Sequence, residues 1–187
     1  MLKRIFIIGL SFCFGAPVFA GSINAQLSND AARFMYTGGG ATNRLQYEAG
    51  VIYDSNQDYL AMSGLLVSGE NMDAPIVASL GIRAYYGEVT NDSIPTSTAA
   101  VIALGGDLSF SPVTLPGFEF GGHYYIAPDP VSFGDSNKLI DFGIRAGYQV
   151  IPLSTLFIGY QSVTVDIVNQ GKVIVDEGII FGMKFTF

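Results

Sequence analysis

The 187-residue chain has one cysteine, Cys13, and it sits in a segment that reads as an export leader. Lys3 and Arg4 give that segment a basic start, Ile5 to Gly15 is apolar, and Val18-Phe19-Ala20 offers small residues where a signal peptidase cuts. Cleavage is expected after Ala20. Phe12 is too large for the position before a lipid-modified cysteine, so Cys13 is expected to leave with the leader. The remainder has no cysteine, which excludes a disulfide framework and any thiolate metal site. Charge is scarce too, at 13% of residues against about 25% in typical soluble domains. Without Lys3 and Arg4 the basic residues fall from 9 to 7 against 16 acidic ones, a formal net charge of 7 − 16 = −9. Nucleic acid, which needs a basic footprint, is therefore not an expected partner. No apolar run approaching the roughly 18–20 residues of a spanning helix follows the leader. His123 is the single histidine, so no His pair or His/carboxylate spacing suggests zinc, and no cofactor is expected. The TGGG at 37–40 lacks the lysine and helix of a phosphate loop and reads as a turn.

What is present is apolar content, 49% of the chain, arranged with a period of two. The last residues, GIIFGMKFTF, put Ile179, Phe181, Met183, Phe185 and Phe187 on one parity and Gly182, Lys184 and Thr186 on the other. Leu45, Tyr47, Ala49, Val51 and Tyr53 form a similar stripe, as do Ile76 to Tyr86, Ala100 to Phe110, Phe118 to Ile126, Ile140 to Tyr148, and Leu156 to Tyr160. DYLAMSGLLVS is apolar on both parities and leaves its orientation open. Eight strands follow, at roughly 41–54, 58–68, 75–87, 97–111, 117–127, 138–151, 154–167 and 174–187, long enough to cross a bilayer at a tilt, which takes about 9–11 residues. A charge-poor, apolar chain with period-two strands and no helical span is expected to be an all-β, transmembrane, antiparallel up-and-down β-barrel.

The connections fit that expectation. Compact links such as SPVTLPG and VIPLS alternate with longer polar ones such as GEVTNDSIPTS and APDPVSFGDSN, as periplasmic turns alternate with outer loops. The chain therefore divides into a leader (1–20), an N-terminal lead or hairpin (21–40) and an outer-membrane barrel (41–187). SINAQLS and AARFMYTG also alternate around Asn29-Asp30. As a hairpin they would raise the count from eight strands to ten. A soluble β-sandwich also alternates. Against it stand the low charge, a polar parity filled largely by glycine and small residues, and aromatics gathered at strand ends. Those are Tyr53, Tyr86 and Tyr124 at one end and Phe110, Phe118, Tyr148 and Phe185 at the other.

A lipid-facing Lys or Arg at mid-bilayer costs about 2–4 kcal/mol. Arg44, Glu48, Arg83, Asp107, Glu119, Asp141, Arg145 and Lys184 all lie opposite the apolar stripe of their own strand. They are expected to form a lumen charge network, with His123 on the same side and Tyr85 and Tyr125 filling space. In a barrel of eight strands such side chains fill the interior, and pairing avoids the penalty of lone buried ions. The expected role is structural or surface interaction, with segments 88–97 and 127–138 as contact surfaces. A narrow channel for ions or small solutes is the alternative, and more strands would favour it. A lipid-modifying enzyme centred on His123 would need a serine and an acid within reach. Nothing in the sequence places that serine, so no catalytic residue is assigned. Asp54, Asp58, Glu88, Asp92, Asp129, Asp135, Asp166, Asp176 and Glu177 collect at the loop end. Carboxylates there suit divalent cations bridging lipopolysaccharide phosphates, or form a solvated surface.

The stretches GGHYYIAPDPVS, FGIRAGYQVIPLSTLFIGYQSV and FGMKFTF together resemble the YfaZ family of Gram-negative outer-membrane proteins. The shared features are a Tyr pair before a Pro-containing loop, a Gly-x-Arg strand, a Pro turn and a Gly-Tyr strand, clear over the last third of the chain. The resemblance implies a signal peptide, a β-barrel and an outer-membrane location, with outer-membrane lipid and lipopolysaccharide as surroundings, and it supplies no catalytic residues. Phe181, Phe185 and the terminal Phe187 look like the mark that outer-membrane barrels present to their assembly machinery.

Overall fold

The computed structural model describes residues 21–39, 44–55, 59–70, 75–91, 94–168 and 171–187. The leader expected over 1–20, and Asp58 and Asp92 of the acidic rim, lie outside them. Eleven strands occur among the described residues: β1 (Gly21–Leu27), β2 (Ala31–Gly39), β3 (Leu45–Asp54), β4 (Tyr59–Glu70), β5 (Ile76–Asn91), β6 (Ile94–Phe110), β7 (Phe118–Ala127), β8 (Ser132–Gly134), β9 (Ser136–Ile151), β10 (Ser154–Ile167) and β11 (Gly171–Thr186). All pairings are antiparallel between neighbours, and β1 pairs with β11. Ten of the strands close the barrel. The eleventh, β8, is a three-residue piece that continues the ladder on β6 at Ala99–Val101, beyond the reach of β7.

The main expectation of eight strands is thereby corrected to ten. All eight expected strands form, and the N-terminal hairpin supplies two more. Its arms have only 7 and 9 residues, yet they close the sheet: β1 runs Ser22↔Thr186 to Leu27↔Phe181 along β11, and β2 pairs with β3 from Ala31↔Asp54 to Gly39↔Gln46. Gly21 and Phe187 are clamped to each other by two backbone hydrogen bonds, Gly21 N–H to Phe187 O at 2.8 Å and Phe187 N–H to Gly21 O at 2.9 Å. Phe187 is thus the last rung of the closing seam. At the hairpin tip Ser28 N–H donates to Ala31 O, and Ser28 Oγ accepts from Ala31 N–H at 2.9 Å.

Gly21 and Phe187 lie at one end of the barrel, here the terminal end; the other is the loop end. The outside is apolar around the wall: Ile23, Phe34, Leu65, Leu80, Leu104, Leu108, Ile144, Ile158 and Phe181 are all exposed. Water does not tolerate a continuous belt of this extent, whereas hydrocarbon does. Aromatic rings ring the terminal end. Phe110, Phe120, Phe118 and Tyr148 form a chain of contacts, with Phe118 and Tyr148 centroids 5.0 Å apart. Phe187, Tyr36 and Tyr47 form a second chain.

Glycine on the inner parity has a steric cause at two positions. A Cβ on Gly143 would come within 2.5 Å of His123 Cε1, and one on Gly182 within 2.2 Å of Phe157 Cζ. Each glycine is the cross-strand partner of the ring that lies over it. The glycines let large side chains lie flat across the lumen wall.

The hairpin β1–β2 is short, so the taller strands continue past it towards the loop end. There β11 touches β5 and β10 touches β6 across the lumen. Their inner faces are apolar: Val89, Ala99, Val101, Leu139, Val163, Val165, Ile167, Val173 and Val175 belong to one buried cluster with Ile52, Leu60, Leu66 and Ala127. The barrel therefore has a hydrophobic core at its loop end and a polar interior elsewhere.

A lipid-facing charge tests this orientation. Ile158→Arg, in the middle of β10, should lower unfolding stability in lipid by about 2–4 kcal/mol, read by denaturant titration of tryptic protection. Val113→Arg, in the β6–β7 turn, should change it by no more than about 0.5 kcal/mol. Equal effects at the two positions would contradict the assignment.

Candidate functional site

The lumen is crossed by one layer of buried charge centred on Asp141 of β9, whose side chain is fully buried. Period-two alternation sends Asp141 inward beside Leu139 and Gly143, and three other strands deliver its four partners. Arg33 of β2 grips it with both terminal nitrogens, Nη2 to Oδ2 at 3.0 Å and Nη1 to Oδ1 at 3.2 Å. Arg83 of β5 donates from Nη1 at 3.4 Å, and the Tyr85 hydroxyl donates at 2.7 Å. His123 of β7 places Nε2 2.8 Å from Oδ1. A two-pronged guanidinium–carboxylate pair is the strongest form of this interaction.

The layer spreads sideways from there. Arg83 also donates to Glu48 Oε2 from Nε at 3.0 Å and Nη2 at 2.6 Å, and lies 3.6 Å from Asp107. Its guanidinium carbon sits 3.7 Å from the centroid of the Tyr125 ring, and the Tyr125 hydroxyl donates to Asp107. On the opposite side Arg33 reaches Gln161 Oε1 at 3.0 Å, where Gln26 also donates. Gln161 passes a hydrogen bond to Asp176 at 2.7 Å, and Ser28 Oγ meets Asp176 at 2.6 Å. Each buried charge in this layer has a hydrogen-bonded partner, as desolvation requires.

On the terminal side of the layer lies a polar cavity of about 220 Å³. Gln26, Glu48, Asp107, Glu119, His123, Gln46, Arg145 and Lys184 are on its wall, together with the apolar Leu66, Val77, Leu108, Ile144 and Ile180. Lys184 binds Glu119, with Oε1 at 2.6 Å, and Arg145 stands 3.7 Å from the same carboxylate. Glu119, Lys184, Arg145 and Asp107 are 20–36% exposed, whereas Val165, Ile167 and Val175 at the loop end are 0–3% exposed. The cavity thus opens towards the terminal end and is blind towards the loops.

The structure brings together Glu48, Arg83, Asp107, His123 and Asp141 in one cluster and Glu119, Arg145 and Lys184 in another. Arg44 is elsewhere: it precedes β3 and is exposed. The lumen contains instead Arg33, which lies in the hairpin that the eight-strand count left out of the wall. Its signal was present, since Arg33 falls opposite Phe34 in AARFMYTG. Among the acidic rim residues, Asp176 and Asp54 point inward and are buried. Asp129, Asp135 and Glu177 are exposed, and Asp166 is half-buried. Asp135 accepts from Thr98 N–H at 3.2 Å, and Glu177 accepts from the Tyr160 hydroxyl at 3.0 Å. No group of three or more His, Cys, Asp or Glu side chains is placed to hold a metal ion among the described residues. Phe181, Phe185 and Phe187 are all exposed on the outer face.

No protein-family model matches the chain, and no curated protein matches it in sequence. The YfaZ resemblance accordingly gains no support from a family model. Among solved structures the chain is similar to the outer membrane channel DcaP of Acinetobacter baumannii, at 14% identity and a TM-score of 0.44, over 88% of this chain and 54% of that one. It therefore spans about half the length of DcaP. It is also similar to the NanC porin, at 12% identity and a TM-score of 0.44, over 91% of this chain and 99% of that one. A third similar chain comes from work on the in-meso crystallization of membrane proteins, at 13% identity and a TM-score of 0.45, over 90% of this chain and 83% of that one. Likeness at this level carries nothing about the task of the present protein.

Removing the hub tests the layer. Asp141→Ala leaves Arg33 and Arg83 sharing no carboxylate between them and should cost about 3–5 kcal/mol, measured by denaturant unfolding of the refolded barrel. Glu177→Ala, on the exposed loop end, should cost less than about 1 kcal/mol. An Asp141→Ala barrel as stable as the parent would show that the layer contributes nothing.

Proposed function

We propose that this chain is a small outer-membrane β-barrel protein of the Gram-negative, YfaZ-like kind, exported by a cleaved leader. On this reading its lumen does not conduct at rest, and its role is structural or surface-interacting. One observation carries the reading: the interior is crossed by a fully bonded ionic layer and then by a buried apolar cluster. An ion entering from the terminal end meets both in series. The first offers no unpaired group to exchange for hydration water, and the second presents mainly aliphatic side chains to a bare ion.

The surface available for interaction is the loop end. There the β7–β9 connection is built as a 3₁₀ turn at Asp129–Val131 followed by β8, with Phe133 exposed. Outer-membrane lipid and lipopolysaccharide are the proposed surroundings of the wall, and the assembly machinery is the proposed reader of the C-terminal strand. Enzymatic action is not part of the reading, because the hydrogen bond of His123 goes to Asp141 and neither residue has a serine partner among the described residues.

The polar cavity favours a second reading, a narrow channel whose loop-end seal moves aside. Planar-bilayer recording separates the two. The sealed barrel should give no steady single-channel steps at moderate voltage, and an Asp141→Ala variant that still folds should stay silent too, because the apolar cluster lies in series with the layer. Steady steps from the parent protein would overturn the sealed reading in favour of the channel.

A further inference from the structure

We propose that the polar cavity at the terminal end binds a small organic carboxylate that also carries a hydroxyl or ammonium donor. The charges on its wall are unevenly matched. In the layer above, Glu48, Asp107 and Asp141 are each bonded to an arginine, a tyrosine or both. Below it the one carboxylate, Glu119, is already taken by Lys184. Arg145 lies 3.7 Å from Glu119, outside hydrogen-bonding distance, and has no hydrogen-bond partner among the described residues. A guanidinium with five donors stands beside a cavity with none of them used.

The surroundings hold that guanidinium in place without satisfying it. The Phe157 ring centroid is 5.4 Å from its central carbon. Gly121 gives it room: a Cβ there would come within 3.1 Å of Arg145 Nε. A planar fork backed by a ring and open at its edge suits two-pronged binding of a carboxylate.

A second observation is independent of charge. Asn24 Oδ1 is buried and has no hydrogen-bond partner. Asn24 is the register partner of Lys184 across the closing seam. It lines a smaller chamber of about 80 Å³ together with Arg145, Lys184 and His123, and Gln26, His123, Arg145 and Lys184 also face the larger cavity. A buried amide oxygen left unpaired is costly; Oδ1 is turned away from the chamber, and rotation of the Asn24 side chain brings it to a donor on a bound ligand, which satisfies it. The small chamber has the volume of about three waters, enough for a carboxylate and one neighbouring atom, and the larger cavity takes the rest. The required ligand therefore has an anionic group for Arg145 and, close to it, a donor for Asn24.

Glycolate, its neutral amide glycolamide, and acetate, which lacks the donor, are the probes. Each is titrated into the folded chain in nanodiscs and followed by saturation-transfer NMR. Glycolate should bind saturably, about tenfold or more tightly than glycolamide, and more tightly than acetate. Arg145→Gln should weaken glycolate about tenfold and remove the preference over glycolamide. Asn24→Leu should remove the preference of glycolate over acetate while acetate itself still binds. That comparison stands by itself should Arg145→Gln fail to fold. Absence of saturable binding, equal binding of glycolate and glycolamide, or an Arg145→Gln protein that binds like the parent would overturn the proposal. The conductance of the barrel is a separate readout, so failure here leaves the sealed reading untouched.

Discussion

A sheet in contact with hydrocarbon can leave no row of backbone N–H and C=O groups without partners, and this constraint governs the molecule. Closure is the only escape for a β-structure. Here it is achieved by the first and last strands, β1 and β11, with Gly21 and Phe187 bonded to each other at the final rung. Once the sheet is closed, the pleat assigns every side chain to lipid or to lumen. The apolar set, including Leu80, Ile158 and Phe181, must then be outside, and Arg83, Asp141 and Lys184 must be inside.

The inside then faces its own difficulty, since ionic groups drawn from many strands share a small volume. Residues four apart on one strand share a face but stand about 13 Å apart, so ion partners have to come across the lumen or from adjacent strands. Asp141 solves this for Arg33, Arg83, Tyr85 and His123 together. The short hairpin adds a further requirement. Where β1 and β2 stop, the taller strands bury their inner faces against each other, which is why the loop end is apolar within. The ionic layer and apolar cluster together divide the lumen into a sealed half and an accessible half.

Much of this architecture is legible in the sequence, because alternation survives wherever one face is apolar and the other is not. Strands 118–127 and 154–167 lie where the periodicity puts them, and the inward turn of Glu48, Asp107, Glu119 and Lys184 follows from the same parity. Alternation fails where both faces are apolar. DYLAMSGLLVS gave no orientation because Leu60, Met62 and Leu66 face the core while Ala61, Leu65 and Val67 face outward. The Leu60 end of the stretch belongs to the seal, while Leu66 lines the cavity below it. The hairpin arms were harder to read because they are shorter than a full crossing, and Arg33 went unrecognised with them. Arg44 looked like a lumen residue by parity, but parity has no force on a residue that precedes its strand. The pairing of partners, such as Arg33 with Asp141 across 108 positions, carries no local signature at all.

The division of the lumen into sealed and open halves can be read directly, because the chain past residue 20 has no cysteine to interfere. Gln46→Cys places a thiol on the cavity wall. The barrel is inserted into vesicles in a single orientation and exposed to a membrane-impermeant thiol reagent from one side at a time. Modification from the side of Gly21 and Phe187, with protection from the loop side, is the predicted result. Equal modification from the loop side would mean that the interior is continuous, and the account of a sealed barrel would be wrong.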